Sequence, residues 1–287
     1  MTHLSSYTLN DKFITLFAYV SITDQTYSGY KIFKMSFVKK VVLVTGGSAG
    51  IGASTAESFA KEGASVAIVG RNEAKLKAVA DKCKKLGADT LTIKADVSKD
   101  EEADLIVKKT IDKFGKLDVL VNNAGVLREA GILSDHFLNT YDEVMDINIR
   151  GAVRISYFAA PHIIKSKGNI INVSSIAGTC TTRPNNIAYR TSKAAMNHFT
   201  RSLALELAPH GIRVNSISPG PVQTDIFEGF SGMASELLQS RNISSMTALG
   251  RSSDADEVAD IILYLASDKA RSVTGSCYVI DNGFLLK

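Results

Sequence analysis

The 287-residue chain has no tryptophan, five prolines, three cysteines and no block of five like charges. Each shortage closes off a class of protein. With proline this sparse, 21 glycines scattered along the length and 45% hydrophobic residues, neither a collagen-like repeat nor disorder over most of the chain is expected. Cys83, Cys180 and Cys277 are odd in number, far apart and without CxxC spacing. They argue against a disulfide framework or a zinc ribbon and for a reducing compartment. His136, His162, His198 and His210 lack ligand spacing, so no metal is expected. A net charge of +4, from 33 basic and 29 acidic residues, is spread without a basic stripe, and no nucleic acid partner is expected. The apolar stretch Phe13 to Val20, broken by Thr15 and Tyr19, is too short to span a bilayer, so no integral membrane segment is expected.

That stretch belongs to a segment unlike the rest. Residues 1–34 are rich in Tyr, Phe, Thr and Ser, with no basic start, no small-residue cleavage site and no arginine. They read neither as a secretory signal nor as a mitochondrial presequence. A poorly ordered extension over 1–35 and one domain over 36–287 are expected.

From Val41 onward the pattern alternates. VVLVT at 41–45 is continuously apolar and β-branched, as expected of a parallel strand covered on both faces. A helical period over 49–62 and a second apolar strand at 64–69, just after Gly63, complete a βαβ unit. Helices are then predicted over 73–86, 99–114, up to about 167, 187–208 and 255–267, with strands at 90–94, 117–121, 169–173, 213–217 and 276–280. About seven strands alternating with helices predict an α/β, doubly wound fold: a parallel sheet with helices on both faces, in a single domain.

The turn after the first strand carries the first functional signal. In Thr45-Gly46-Gly47-Ser48-Ala49-Gly50-Ile51-Gly52, the glycines allow a tight turn and let backbone N–H groups approach a diphosphate at a helix N-terminus. Its spacing, Gly-x3-Gly-x-Gly, is not the common dinucleotide fingerprint. It resembles the cofactor loop of the short-chain dehydrogenase/reductase family, whose other motifs follow in order. Asn122-Asn123-Ala124-Gly125 is similar to the NNAG that follows the fourth strand, Met145-Asp146-Ile147-Asn148 to the helix bearing the family's asparagine, and Tyr189-Arg190-Thr191-Ser192-Lys193 to its YxxxK. Ser174 and Ser175 end a strand, and Pro219-Gly220-Pro221-Val222-Gln223-Thr224 is similar to the turn beside the nicotinamide. The resemblance covers residues 38–287. It implies a Rossmann fold, and a cofactor held by Gly46, Ser48, Gly50, Ile51, Gly52, Asp96, Val97, Asn123, Ala124, Gly125, Pro219, Gly220, Val222 and Thr224, with Tyr189 and Lys193 at the nicotinamide ribose. It also implies that Asn148 holds a water in a proton relay.

The chemistry follows from residue types as well. Tyr189 and Lys193 lie four apart at a helix start, on one face. A nearby ammonium favours the phenolate and lowers a phenol from its ordinary pKa of about 10. Tyr189 is then the proton donor to a carbonyl, or the base in the reverse direction. Ser175 hydrogen-bonds the same oxygen, while strand alternation turns Ser174 away. Ser175 stands one residue further from Tyr189 than the family spacing, which an extra residue in the loop from Thr179 to Asn186 accounts for.

Where an NAD-specific site places an acid at the end of the second strand, this chain has Gly70 followed by Arg71. Glycine leaves room and the guanidinium can bind a 2′-phosphate, so NADP(H) is expected over NAD. Residues 222–250 occupy the place of the family's substrate lid. Phe227, Phe230, Met233, Leu237, Leu238 and Met246 there, with Ile176, Ala177 and Val222 at the pocket's border, either point to a small apolar carbonyl or alcohol or simply pack the lid on the body. A 3-oxoacyl thioester reductase, a hydroxysteroid or retinoid dehydrogenase and a xenobiotic carbonyl reductase all fit. Cys180 lacks a basic neighbour and reads as a spectator thiol. The resemblance implies a homo-oligomer, dimer or homotetramer. The cytoplasm is the expected location, with residues 1–34 the segment that would redirect the chain to mitochondria or a membrane surface. The competing reading is a catalytically silent dinucleotide-binding sensor or scaffold. Asn148, Ser175, Tyr189 and Lys193 together argue against it.

Overall fold

A computed structural model describes residues 36–181, 184–224, 226 and 243–287. The extension expected over 1–35 and the lid residues Phe227, Phe230, Met233, Leu237 and Leu238 lie outside the described residues. The apolar stretches form β1 Val41–Thr45, β2 Ser65–Gly70, β3 Thr90–Lys94, β4 Val119–Asn122, β5 Asn169–Val173, β6 Arg213–Pro219 and β7 Cys277–Ile280. All neighbours pair in parallel, in the order β3-β2-β1-β4-β5-β6-β7. The expected doubly wound Rossmann-type sheet is therefore present.

Its helices are α1 Gly50–Lys61, α2 Glu73–Lys85, α3 Asp100–Phe114, α4 Phe137–Met145, α5 Gly151–Ser166, α6 Ile187–Leu207 and α7 Ala255–Ala266. Successive strand side chains point to opposite faces. Val42, Val44, Val66 and Ile68 pack with Phe59 of α1, Leu76 of α2 and Ile262 of α7, whereas Leu43, Val69 and Ile170 pack with Ile106 of α3, Ile155 of α5 and Leu207 of α6. A sheet covered on both sides has no need of polar alternation, which is why its strands read as unbroken apolar runs.

Among the bounds that differ from expectation, two lie next to buried polar side chains. Strand β4 begins at Val119 rather than at residue 117; just before it Asp118, 2% exposed, accepts through its carboxylate from the Val41 N–H at 2.8 Å and from Lys40 at 3.2 Å. The long helix expected up to about residue 167 is interrupted by a π turn over Asp146–Arg150. Within that turn Asn148 is fully buried; its Oδ1 accepts from the Val126 N–H at 2.7 Å and its Nδ2 donates to the Val126 carbonyl at 2.9 Å. These bonds to the chain beyond β4 hold the widened turn that seats the asparagine.

Strand order reverses between β1 and β4, so the loops leaving their carboxyl ends diverge and open a crevice. The glycine loop leaves β1 there, and Asn123 to Gly125 leave β4.

Candidate functional site

One wall of the crevice is built from backbone. Gly46 has a left-handed φ of 63°, and a Cβ there would meet the Ala124 Cα at 2.8 Å. At Gly52 a Cβ would fall on the Gly46 carbonyl oxygen and Asn123 Nδ2. Asn123 holds this loop by donating from Nδ2 to the carbonyls of Thr45 and Gly46 at 2.9 and 3.0 Å. Thr45 Oγ1 in turn accepts from the N–H groups of Asn123 and Ala124, each at 3.0 Å. Sequence reasoning assigned no role to Thr45; its place at the strand end was the available signal. Helix α1 begins beyond Ala49, which offers no side-chain cap, so the first-turn N–H groups face the crevice without a competing acceptor. A loop packed this tightly beside an uncapped helix start suits a diphosphate, and the residues present fit a dinucleotide.

The crevice holds a cavity of about 350 Å³ lined by Gly46, Ser48, Gly50, Ile51, Asn123, Ala124, Gly125 and Thr224. At its other end Gly70, Arg71, Asp96 and Val97 line the same space. A Cβ on Gly70 would lie 3.0 Å from Ser48 Oγ and 3.3 Å from Leu76 Cδ2, so the expected room is already tightly bounded. Burial opposes ionisation of Asp96, but hydrogen bonds from the Ser98 N–H and hydroxyl, with the charges of Arg71 and Lys99, hold its carboxyl below the ordinary range. Arg71 thus acts on the mouth of the pocket where a ribose would end.

Ser175, Tyr189 and Lys193 line a second cavity of about 200 Å³, with Gly220, Val222, Ile176 and Ala177. Ile51, Asn123, Gly125, Leu127, Thr224 and Ile226 line both, so the two spaces adjoin. Pro219 is buried at the end of β6, its carbonyl 3.5 Å from Ser175 Oγ. Gly52 and Asn148 line neither cavity. Asn148 lies behind Gly125, whose added Cβ would sit 3.3 Å from Asn148 Oδ1 and 3.6 Å from Lys193 Nζ. Ser192, unassigned from sequence, ties the group together: it accepts from Asn148 Nδ2 at 3.0 Å and donates to the Tyr189 carbonyl at 2.7 Å. Ser174 donates to the Lys193 carbonyl at 3.0 Å, leaving Ser175 as the serine that acts on the Tyr189 hydroxyl.

The expected cation-lowered phenol is corrected by the geometry. Burial pushes the Tyr189 phenol above its ordinary value, and the Ser175 hydrogen bond offsets that only in part. Lys193 Nζ lies 5.6 Å from the Tyr189 ring centroid and donates to the Val173 carbonyl at 2.9 Å. Burial lowers its pKa from 10.5 to about 8. The low dielectric that strengthens charge interactions also penalises forming either charge. Between about pH 8 and 10.5 the unfolded chain therefore binds more protons at Lys193 than the folded one, and stability gains as pH rises through that window. Tyr189, raised above its unfolded value of 10.0, contributes the opposite trend only beyond pH 10. Thermal midpoints measured from pH 8 to 10 are expected to climb less steeply, or to fall, in Lys193→Met relative to the unsubstituted protein. Parallel pH profiles would refute this.

The chain matches the family described as Enoyl-(Acyl carrier protein) reductase over residues 46–285. It is 40% identical over 256 residues to an uncharacterized oxidoreductase of Thermotoga maritima, covering 87% of this chain and 98% of that protein. It is also 35% identical over 248 residues to the 3-oxoacyl-(acyl-carrier-protein) reductase FabG of Thermotoga maritima, with 86% and 98% covered. A short-chain dehydrogenase of Burkholderia cenocepacia J2315, solved in complex with NADP, superposes with a TM-score of 0.79 at 32% identity, covering 87% of this chain and 99% of that one.

Proposed function

The chain belongs to the short-chain dehydrogenase/reductase family of oxidoreductases, and within it we propose an NADP(H)-dependent enzyme that interconverts a carbonyl and a secondary alcohol. The observation that carries this reading is the adjoining pair of cavities, one bounded by the glycine loop and Arg71, the other by Ser175, Tyr189 and Lys193. When bound, the nicotinamide supplies or takes up the hydride. Everything else falls to the chain's own side chains.

Gly46, Ser48, Gly50 and Ile51, with the α1 N-terminus, hold the diphosphate, and Gly52 lets the loop pack on Asn123. Asn123, Ala124 and Gly125 line the middle of the cleft, Asp96 and Val97 its adenosine end, and Pro219, Gly220, Val222 and Thr224 the nicotinamide end. Tyr189, whose phenol keeps its proton at neutral pH, donates that proton to the carbonyl oxygen. Ser175 holds the same oxygen and stabilises its developing charge. Lys193 positions the ribose and, through Asn148, the path by which Tyr189 recovers its proton.

NADP(H) is favoured because Gly70 replaces the acid that a free 2′-hydroxyl needs, and Arg71 stands beside it. The relative solved with NADP supports the same preference. Fluorescence titration is expected to show tighter binding of NADPH than NADH by about 10- to 100-fold, a preference that Arg71→Asp abolishes or reverses. Equal affinities, insensitive to Arg71, would overturn the cofactor assignment; no binding of either would revive a structural reading of the loop. The apolar lining contributed by Leu127, Ile176, Val222 and Met246 supports a compact carbonyl compound with an apolar body. Exposed Tyr157 on α5 and Leu205 on α6, 74% and 79% accessible, support a homo-oligomer built across those helices. No helix among the described residues is long and apolar enough to cross a membrane, and three free cysteines support a cytoplasmic protein.

A further inference from the structure

We propose that Arg190 determines the substrate class by binding a carboxylate carried on the far end of the oxo or hydroxy compound. This rests on the oxidoreductase reading above and deepens it. The second cavity is lined mainly by apolar groups, among them Leu127, Ile176, Val222 and Phe284, yet two cationic residues border it, Lys193 and Arg190. Lys193 is already engaged with the Val173 carbonyl. Arg190 is partly buried, and its guanidinium makes no hydrogen bond or ion pair among the described residues. Neither Asp nor Glu is among the described residues that line this cavity.

An arginine stays charged at every accessible pH. Partial burial beside apolar walls costs that charge part of its hydration unless a partner replaces it. Its position supplies a second observation. Arg190 sits in the first turn of α6, where its backbone N–H bonds the Asn186 carbonyl at 3.0 Å. Asn186 makes no side-chain cap there, and its Oδ1 is buried without a partner. The uncapped, positive end of a 21-residue helix thus adds to the guanidinium, so the potential at this end of the cavity favours an anion.

Geometry then narrows the anion. The planar guanidinium fork matches a carboxylate through two parallel bonds. Arg190 and Tyr189 line the same cavity, so one small molecule can present its carbonyl to Tyr189 and an anionic group to Arg190. The cavity, about 200 Å³, falls below the roughly 300 Å³ at which drug-sized pockets begin. A free oxo acid suits this space better than a carrier-bound thioester, whose phosphate lies at the end of a long arm.

The test pairs a compact oxo-carboxylic acid with its methyl ester, using NADPH and comparing the unsubstituted enzyme with Arg190→Leu and Arg190→Lys. The acid-to-ester ratio of kcat/KM is expected to fall about 10- to 100-fold in Arg190→Leu, mainly through KM, with partial rescue in Arg190→Lys. Calorimetric binding of the acid to the NADPH complex of Tyr189→Phe, and its loss on adding Arg190→Leu, supplies a readout independent of turnover. A ratio unmoved by Arg190→Leu would overturn the proposal. So would an Arg190 dependence confined to a 3-oxoacyl thioester with a phosphorylated pantetheine arm, which would assign the arginine to the carrier's phosphate. If NADPH binds but neither acid nor ester is turned over, the oxidoreductase reading fails instead, and the calorimetric arm still decides whether Arg190 binds the acid.

Discussion

Replacing Tyr189 by Phe is expected to lower turnover by about 10³-fold, in the middle of the range for removing a positioned general acid, while NADPH affinity changes far less. The ring stays in place, because Ala188 and Tyr189 are packed in the core formed with α3, α5 and α6. Removing the hydroxyl does not strand its neighbour either: Ser175 keeps the Ala177 N–H at 3.1 Å as donor and the Pro219 carbonyl at 3.5 Å as acceptor. What disappears is the one phenolic proton among the described residues that line the second cavity. Stopped-flow measurement of NADPH consumption, beside a fluorescence titration on the same preparation, separates chemistry from binding. Turnover near the unsubstituted rate would mean that another group donates the proton. An unsubstituted protein that binds NADPH but reduces nothing would return the sensor reading to first place.

The second large effect is expected at Gly52. In Gly52→Val, NADPH affinity should fall by more than about 100-fold, together with a stability loss of about 1–3 kcal/mol for forced overpacking. The first atom of any side chain there lands on the Gly46 carbonyl oxygen and on Asn123 Nδ2, and Asn123 is the clamp that holds the loop. Relief requires the backbone of the loop to move, which misplaces the N–H groups that face a diphosphate. Gly211→Ala is the matched control. Gly211 has a left-handed φ of 76° but nothing within 4 Å of an added Cβ, so it should lose about 1–2 kcal/mol and retain NADPH binding. Urea unfolding and nucleotide titration of both variants decide the matter. Intact binding in Gly52→Val would mean that the loop does not form the phosphate cradle.

Much of this was legible because the relevant signals are local. The strand at Val41–Thr45, the glycine turn after it and the order of the motifs depend on neighbours in sequence, and they place the sheet, the cleft and the tyrosine without reference to any long-range contact. Periodicity, by contrast, was silent about the π turn at Asp146–Arg150, since that turn is held by Asn148 bonding to Val126, 22 residues away. It was equally silent about Ser192, which matters only because α6 and the π turn meet.

Spacing along the chain is enough for a doubly wound α/β fold of about seven strands, a dinucleotide loop after the first of them, and the residue types at the carboxyl end of the sheet. Each is fixed by spacing along one strand or one helix. The tertiary structure decided the electrical state of those residues. Spacing brings Lys193 onto the face of Tyr189, but only the packing of β5, α6 and the loop after β4 shows both groups drawn from water, with the phenol raised and the ammonium lowered to about 8. It likewise shows Arg190 beside an apolar cavity without a partner among the described residues. Desolvation is a sum over everything that surrounds a group, and no local stretch of chain contains that sum.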